Sequence, residues 1–459
     1  MKPFQPFGTA RHLVNSLLRK KARYSAYPSQ ARNTSTWVIG QPGMGKSKFI
    51  ESMVMQDIQH GRSVGLIDIH GDLFANVRSR IAMLTLKYPQ LAHRVVIVDP
   101  TTPQFTVRIN PLEAIAGQSQ ERTALFLTDI VIKIWAINPN ESPRLVWLLT
   151  NSFLALADLG LSLADFPRWL QDRDWRNQQV PMISHEAVQR YWAFEFPKGD
   201  KEAQQWIAPA ANKLGGLLFD SEVRHVLTGA GGITMRELMD QGLILLVHIP
   251  KGILGEKSAH LLAAFIVAQI QKAALSRADT ADRSDFYCYL DEFQNYTTDY
   301  IQDVLAESRK YKLSLVLAHQ FLDQLSTQIR SAVLNTSGTI ISFRVGYKDA
   351  RSIVSEMFPS PDFPLYRGDI QRGSWEKLAL ELANLSPRHF WARRRGPYAP
   401  TKKNTLDVPE LVITPQIEAA TRRLMQVSAQ RYAGTQPQEE PKRGSHESGN
   451  LYHDIIWDE

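Results

Sequence analysis

Cysteine is all but missing from this chain: Cys288 is the single one among 459 residues. An intramolecular disulfide is therefore excluded, and the composition suits a reducing compartment. Long apolar runs are missing too. The longest, Leu243–Ile249 and Leu261–Ile270, are too short to span a bilayer, and no apolar leader with a small-residue cleavage site opens the sequence. The expectation is a cytoplasmic protein without a transmembrane segment in this chain, peripheral at the inner membrane at most through a partner. Acidic residues are absent from the first 35 positions, which hold Lys2, Arg11, Arg19, Lys20, Lys21, Arg23 and Arg32. Those seven cations match the net charge of +7 carried by the whole chain. Interleaved with Leu13, Val14, Leu17 and Leu18, this basic arm suits anionic lipid, nucleic acid or a face of its own domain.

What is present is ordinary for a protein with sizeable cores: 44% apolar and 22% charged residues, over a length of about three domain-sized units. The most informative stretch is Gly40-Gln41-Pro42-Gly43-Met44-Gly45-Lys46-Ser47. It follows an apolar run (Trp37, Val38, Ile39) and precedes a helical pattern through Phe49, Ile50, Met53 and Val54. Strand, glycine-rich turn and helix in that order is the context of a phosphate-cradling loop. Small residues let successive N–H groups curl around a polyphosphate, and the helix N-terminus adds its dipole. Residues Gly40 to Lys48 are the candidate nucleotide contacts. Lys46 would reach the β- and γ-phosphates of ATP, and Ser47 would hold Mg2+.

Further strands are expected at Ser63–Asp68, with Gly71 turning the chain and Asp72 capping the next helix, and at Arg94–Val98. From about 113 to 237 strand patterns vanish and helical spacing dominates, for example Leu125, Thr128, Ile132 and Trp135. Six of the ten tryptophans fall there, at 135, 147, 169, 175, 192 and 206. They either fill a helical core or stack nucleobases. The α/β alternation resumes with a strand at Leu243–Ile249, a turn at Lys251-Gly252 and an apolar helix at Ser258–Ala274. Then Phe286–Leu290 runs into Asp291-Glu292. An apolar strand ending in this pair is the second half of a nucleotide site: Asp291 for the Mg2+ shell, Glu292 to orient and deprotonate water. A helix at Tyr300–Lys310 leads to a strand, Leu313–Ala318, ending at His319-Gln320. Gln320 is the candidate γ-phosphate sensor, and His319 is expected to face solvent or a neighbouring helix. A last strand at Thr339–Val345 carries Arg344, and a basic stretch holds Arg388 and Arg393 to Arg395.

The resulting division is a basic arm (1–35), a first core segment (36–112), an inserted all-helical domain (113–237), a second core segment (238–400), an extension (401–433) and a tail (434–459). The tail is rich in Gln, Pro, Glu, Gly and Ser, expected to be a disordered tether, and ends in the apolar-acidic peptide Leu451–Glu459.

Four blocks now carry a resemblance: the loop at 40–47, Ile67–Leu73, Tyr289–Phe293, and Glu307-Ser308-Arg309-Lys310-Tyr311 through Gln320. Over about residues 36–360 the chain resembles the HerA/FtsK superfamily of ring ATPases, and within it the type IV secretion coupling proteins of the TraG/TraD kind. The resemblance implies an α/β fold: a RecA-like P-loop ATPase core with a mainly parallel sheet, plus an inserted all-α domain. It also implies a homo-oligomer, a hexameric ring with ATP between neighbours and DNA, single- or double-stranded, in the pore. Arg309 matches the arginine finger that an adjacent subunit inserts. Relaxase or secretion-channel proteins are the implied partners. One departure stands out: membrane-bound coupling proteins carry two transmembrane helices ahead of the loop, where this chain has its basic arm. The implied activity is a DNA-translocating ATPase of conjugation or type IV secretion. Alternatives are a platform recruiting a protein substrate, a HerA-like DNA end-processing translocase, or a nucleotide-gated assembly factor.

Overall fold

The computed structural model describes residues 32–113, 119–218, 220–227, 232–296, 305, 307–358, 373–396 and 399–433. The basic cluster from Lys2 to Arg23, the tail from 434 and positions 300–304 of the expected helix Tyr300–Lys310 lie outside the described residues.

Nine strands form one sheet: β1 Thr36–Ile39, β2 Ser63–Asp68, β3 Val95–Val98, β4 Ile244–His248, β5 Phe286–Leu290, β6 Leu313–His319, β7 Thr339–Ser342, β8 His389–Arg394 and β9 Thr401–Asn404. Their order is β3-β4-β2-β5-β6-β1-β7-β8-β9. The first seven in that order run parallel, and β8 and β9 close one side as an antiparallel hairpin. The parallel strands read as unbroken apolar runs because helices cover both faces. Along β1 the faces alternate: Trp37 and Ile39 join one core, Val38 the other.

On Val38's side lie α1 (Lys46–Gln59) and α2 (Asp72–Lys87), which supply Ile50, Val54, Phe74 and Val77. On the other side lies the helical insertion between β3 and β4, including α3 (Gln120–Ile134), α4 (Pro143–Asp158) and α5 (Asp200–Leu218). Its Leu127, Phe153 and Trp169 belong to the same apolar core as Leu245 and Leu317 of the sheet. Trp169 and Trp192 are buried and Trp135, Trp175 and Trp206 half-buried against that core, which places five of the six tryptophans in packing. Trp147 is the exception, 53% exposed.

Between β4 and β5 runs α6 (Lys251–Ser276). By length and composition it could cross a membrane, and 67% of its most apolar stretch is buried inside the fold. The expected turn at Lys251-Gly252 is instead the first turn of α6: Pro250 occupies the N-cap, and the break comes at Gly255, with φ 75° and ψ 160°. After β7 come α7 (Tyr347–Met357) and, past the hairpin, α8 (Pro415–Tyr432), which packs on α2 and β3. The region read as a basic stretch and an extension thus supplies two strands and a helix. Asp72 does not cap α2. Gly71, at φ 95°, holds the cap position, and the Asp68 carboxylate accepts from His70 N at 2.9 Å and Phe74 N at 2.8 Å.

Candidate nucleotide site

In a parallel sheet every strand delivers its last residue to the same edge. Register aligns Ile39 with His319 and Leu290 with Leu317. The residues that follow β1, β2, β5 and β6 are therefore gathered at one rim.

The loop from Gly40 to Gly45 has the conformation its glycines allow. Gly43 and Gly45 take φ 75° and 99°, in the left-handed region that favours glycine. A methyl group on Gly40 would meet Phe343 Cβ at 2.5 Å. Neighbouring β7 shapes this loop: the strand stops at Ser342, short of the expected Val345, and backbone contact continues past it, with Phe343 N donating to Ile39 O at 2.9 Å and Gln41 N to Arg344 O at 2.8 Å. Gln41, Pro42 and Met44 complete the turn, and Gly45 caps α1, whose first N–H groups have no side-chain partner from the cap. Ser47 stands exposed in that first turn. The side chain of Lys48 is drawn off to Glu51 and Glu410, both at 3.2 Å, so only its main chain faces the cradle.

Lys46 is buried and donates from Nζ to Gly40 O at 2.5 Å. Burial holds its pKa below the usual lysine value, with Glu292 and Asp291 opposing. Asp291 is itself buried, and burial, aided by Asp68 and Glu292, pushes its carboxyl up to about 7. Glu292 takes φ 49° and donates from its backbone N to Asp291 Oδ1 at 3.1 Å. Gln320 Nε2 donates to Glu292 Oε1 at 2.9 Å. Lys46, Asp291, Glu292 and Gln320 thus meet at one rim.

His319 does not face solvent. It is fully buried, stacked 5.7 Å from Trp37, and accepts at Nε2 from Trp37 Nε1 at 2.8 Å. Burial drives its pKa down to about 3, so the ring is neutral and acts as packing behind the rim. Arg309 sits elsewhere. It is exposed in the short helix Ser308–Tyr311, before β6 begins, about 20 Å along the strand from Gln320.

Three participants escaped the sequence reading. The charge of Asp68 helps raise the Asp291 pKa, and its place at a strand end before a glycine turn was the available signal. Gln294 Nε2 donates to Glu292 Oε2 at 2.7 Å, without any pattern to mark it. Arg388, at φ 69°, donates from its backbone N to Met44 O at 2.9 Å and braces the loop from outside. Only tertiary structure reveals it.

The donor set fits a nucleoside polyphosphate with a divalent cation. Helix N–H groups without a side-chain cap and one lysine line the loop. The charges of Asp68 and Glu292 add to the burial that raises the Asp291 pKa, which a cation held by Asp291 and bound phosphate would offset. Among the described residues no cluster of three acidic, His or Cys side chains forms a metal cage by itself.

No family model matches the sequence, and no curated protein does. Solved structures do. The plasmid coupling protein TrwB in complex with ADP and Mg2+ superposes with a TM-score of 0.57 at 14% identity, over 88% of this chain and 94% of that one. Unbound TrwBdeltaN70 gives 0.56 at 15%, over 87% and 91%. The fold is that of the conjugative coupling protein TrwB. VirB4 of Thermoanaerobacter pseudethanolicus shares it too, with a TM-score of 0.51 at 13% identity, over 82% and 90%.

Proposed function

We propose that this chain is a P-loop ATPase of conjugative transfer or type IV secretion that moves DNA through a ring of its own copies. The observation that carries the reading is the meeting of Lys46, Asp291, Glu292 and Gln320 at one sheet edge. TrwB, which has this fold, is solved with ADP and Mg2+ and with a non-hydrolysable ATP analogue.

In this reading the N–H groups of residues 43–48 and the Lys46 ammonium bind the β- and γ-phosphates. Ser47 and Asp291 hold Mg2+, which neutralises charge on the phosphate oxygens. Glu292 accepts the proton of the attacking water, and Gln320 contacts the γ-phosphate. Arg309 lies too far along β6 to serve its own site. Acting on a neighbour's ATP, it would stabilise charge developing on the phosphoryl group, an effect worth about 10³–10⁵ in rate for such arginines. A closed hexamer gives each site a donor.

The test is ATPase activity with and without single- and double-stranded DNA across a salt series. Stimulation that fades as salt rises is the expected result, since phosphate contacts release counterions. A rate that no DNA alters at low salt overturns translocation. One observation favours a second reading, a platform for a protein substrate. Trp147 and Phe194 of the helical insertion are 53% and 76% exposed. Replacing both with serine should then abolish transfer while sparing DNA-stimulated ATPase.

A further inference from the structure

Glu292 is held more completely than a base awaiting water requires. Each carboxylate oxygen accepts from a different amide: Oε1 from Gln320 Nε2 at 2.9 Å and Oε2 from Gln294 Nε2 at 2.7 Å. Its backbone stays in the left-handed region, at φ 49°, which a non-glycine residue adopts only when its surroundings impose it. Hydrogen bonds to an ionised carboxylate stabilise that form, lower its readiness to take a proton and fix which way its remaining lone pairs point. A general base needs one oxygen within reach of its water. In the conformation seen here, both are engaged.

The placement of Gln294 is imposed rather than incidental. It lies in the single turn Phe293–Tyr296, anchored on both sides. Phe293 is fully buried, with its ring edge-on to His319 at 5.1 Å. Tyr296 is buried and donates its hydroxyl to Asp291 O at 2.6 Å. Asn295 donates to Glu292 O from its backbone N at 2.9 Å and from Nδ2 at 3.0 Å. The turn is therefore fastened to the backbone of the carboxylate pair, and Gln294 has a fixed base from which to reach Glu292.

We propose that Gln294 is a positioning residue that holds Glu292 in a resting orientation, so that the site idles until nucleotide and polymer are both engaged. This rests on the ATPase reading above. The two amides differ in what can release them. Gln320 ends a strand beside the phosphate loop, where a γ-phosphate offers its amide a competing acceptor. Gln294 belongs to the anchored turn, and its bond remains after Gln320 has left. How readily Glu292 swings to water is then set by this one contact. No covalent step is involved; the device changes only the population of the competent carboxylate.

The experiment uses the full chain and compares wild type, Gln294→Met, Gln294→Ala and Lys46→Ala for kcat and KM of ATP hydrolysis without DNA, alongside thermal melting. Met keeps the bulk of the side chain and removes the donor. Both Gln294 variants should raise basal kcat about 3- to 10-fold with KM unchanged and narrow the stimulation given by DNA. A structural role would lower kcat or leave it alone. Wild-type activity with basal kcat unchanged or lower in folded Gln294→Met overturns the brake and leaves the ATPase reading standing. Misfolding of both Gln294 variants makes the residue structural and also overturns the brake. A wild-type rate no higher than that of Lys46→Ala removes the ATPase reading, and this inference with it.

Discussion

Gln320 and Glu292 come from the ends of adjacent strands, and a 2.9 Å hydrogen bond from amide to carboxylate joins them. The contact exists because β5 and β6 pair in parallel with Leu290 opposite Leu317, which delivers both residues to one rim. If Glu292 activates water, Glu292→Gln should bind ATP normally and lose about 10²–10⁴ in kcat. Gln320→Ala should lower kcat about tenfold or more while KM moves little. Fluorescent-nucleotide titration and single-turnover hydrolysis separate the two effects. Full turnover by Glu292→Gln would remove the residue from the chemistry.

Asp291 gives the fold a pH signature. Its carboxyl titrates near 7 when folded, against 3.8 for the free side chain, because burial disfavours its charge. Between these values the folded state holds the proton and the unfolded state has lost it. Stability from this group is thus complete below about pH 4 and is lost as pH rises through 7. Asp291→Asn removes that slope. Nucleotide-free Asp291→Asn should melt higher than wild type at pH 8, and the two should converge toward pH 5. Parallel melting curves across that range would mean the carboxylate is already compensated.

Much of this architecture was legible in the sequence because the strands that build the site are buried on both faces. Ser63–Asp68 was bounded correctly, and the strand from Phe286 was read as ending in Asp291-Glu292 where it stops at Leu290: an unbroken apolar run between polar turns marks a buried strand, though not its last residue. Of the two places expected for His319, solvent is wrong and a neighbouring helical turn is partly right, since Phe293 packs edge-on to it; nothing local reveals that Trp37, 282 positions earlier, also donates to it. The hairpin β8–β9 was missed for a related reason. Arg388 and Arg393 to Arg395 read only as a basic stretch and residues from 401 as an extension, and it is pairing of β8 with β7, and of β9 with β8, at the sheet's border that makes strands of them.

The glycines of the phosphate loop are not equivalent, and their alanine variants should separate. At Gly40 the added methyl meets Phe343 Cβ at 2.5 Å, so the loop or β7 must move. At Gly43 the space is open, and only the positive φ, 75°, is strained. Gly43→Ala should cost about 1 kcal/mol, and Gly40→Ala clearly more, with loss of ATP binding. Denaturant melts and nucleotide titrations of the two proteins are the check. Equal losses would show that backbone strain, not the neighbour, dominates.

Arg309 lies in the short helix before β6, away from the rim, so any contribution it makes to hydrolysis would have to come across a subunit boundary. Arg309→Ala and Lys46→Ala proteins, each inactive alone, should regain part of the ATPase when mixed, because some interfaces then hold an intact loop and an intact arginine. Rings that form without recovering activity would exclude a trans role.

Asp57 shows how the remote end of the phosphate-loop helix is fastened. It is fully buried near the C-terminus of α1 and paired with Arg32 and Arg62, the latter at 2.7 Å. Arg32 Nη1 donates to Oδ1 at 2.7 Å, and the Tyr289 hydroxyl donates to Oδ2 at 2.5 Å. Tyr289 lies on β5, two residues before Asp291, so one carboxylate ties the loop's helix to the strand bearing the acidic pair. Removing it takes the buried Arg32 guanidinium's carboxylate away, leaving it the Tyr289 hydroxyl and the Tyr287 ring among its contacts. Asp57→Ala should cost about 3–5 kcal/mol. Tyr289→Phe, which leaves the ion pair, should cost about 1–2 kcal/mol. The double variant Arg32→Met/Asp57→Leu should recover part of the loss, since it removes the buried positive charge along with its counter-ion. Denaturant melts of wild type, Arg32→Met, Asp57→Leu and the double variant complete the cycle. Additive losses from Arg32→Met and Asp57→Leu would mean that the two side chains stabilise the fold independently.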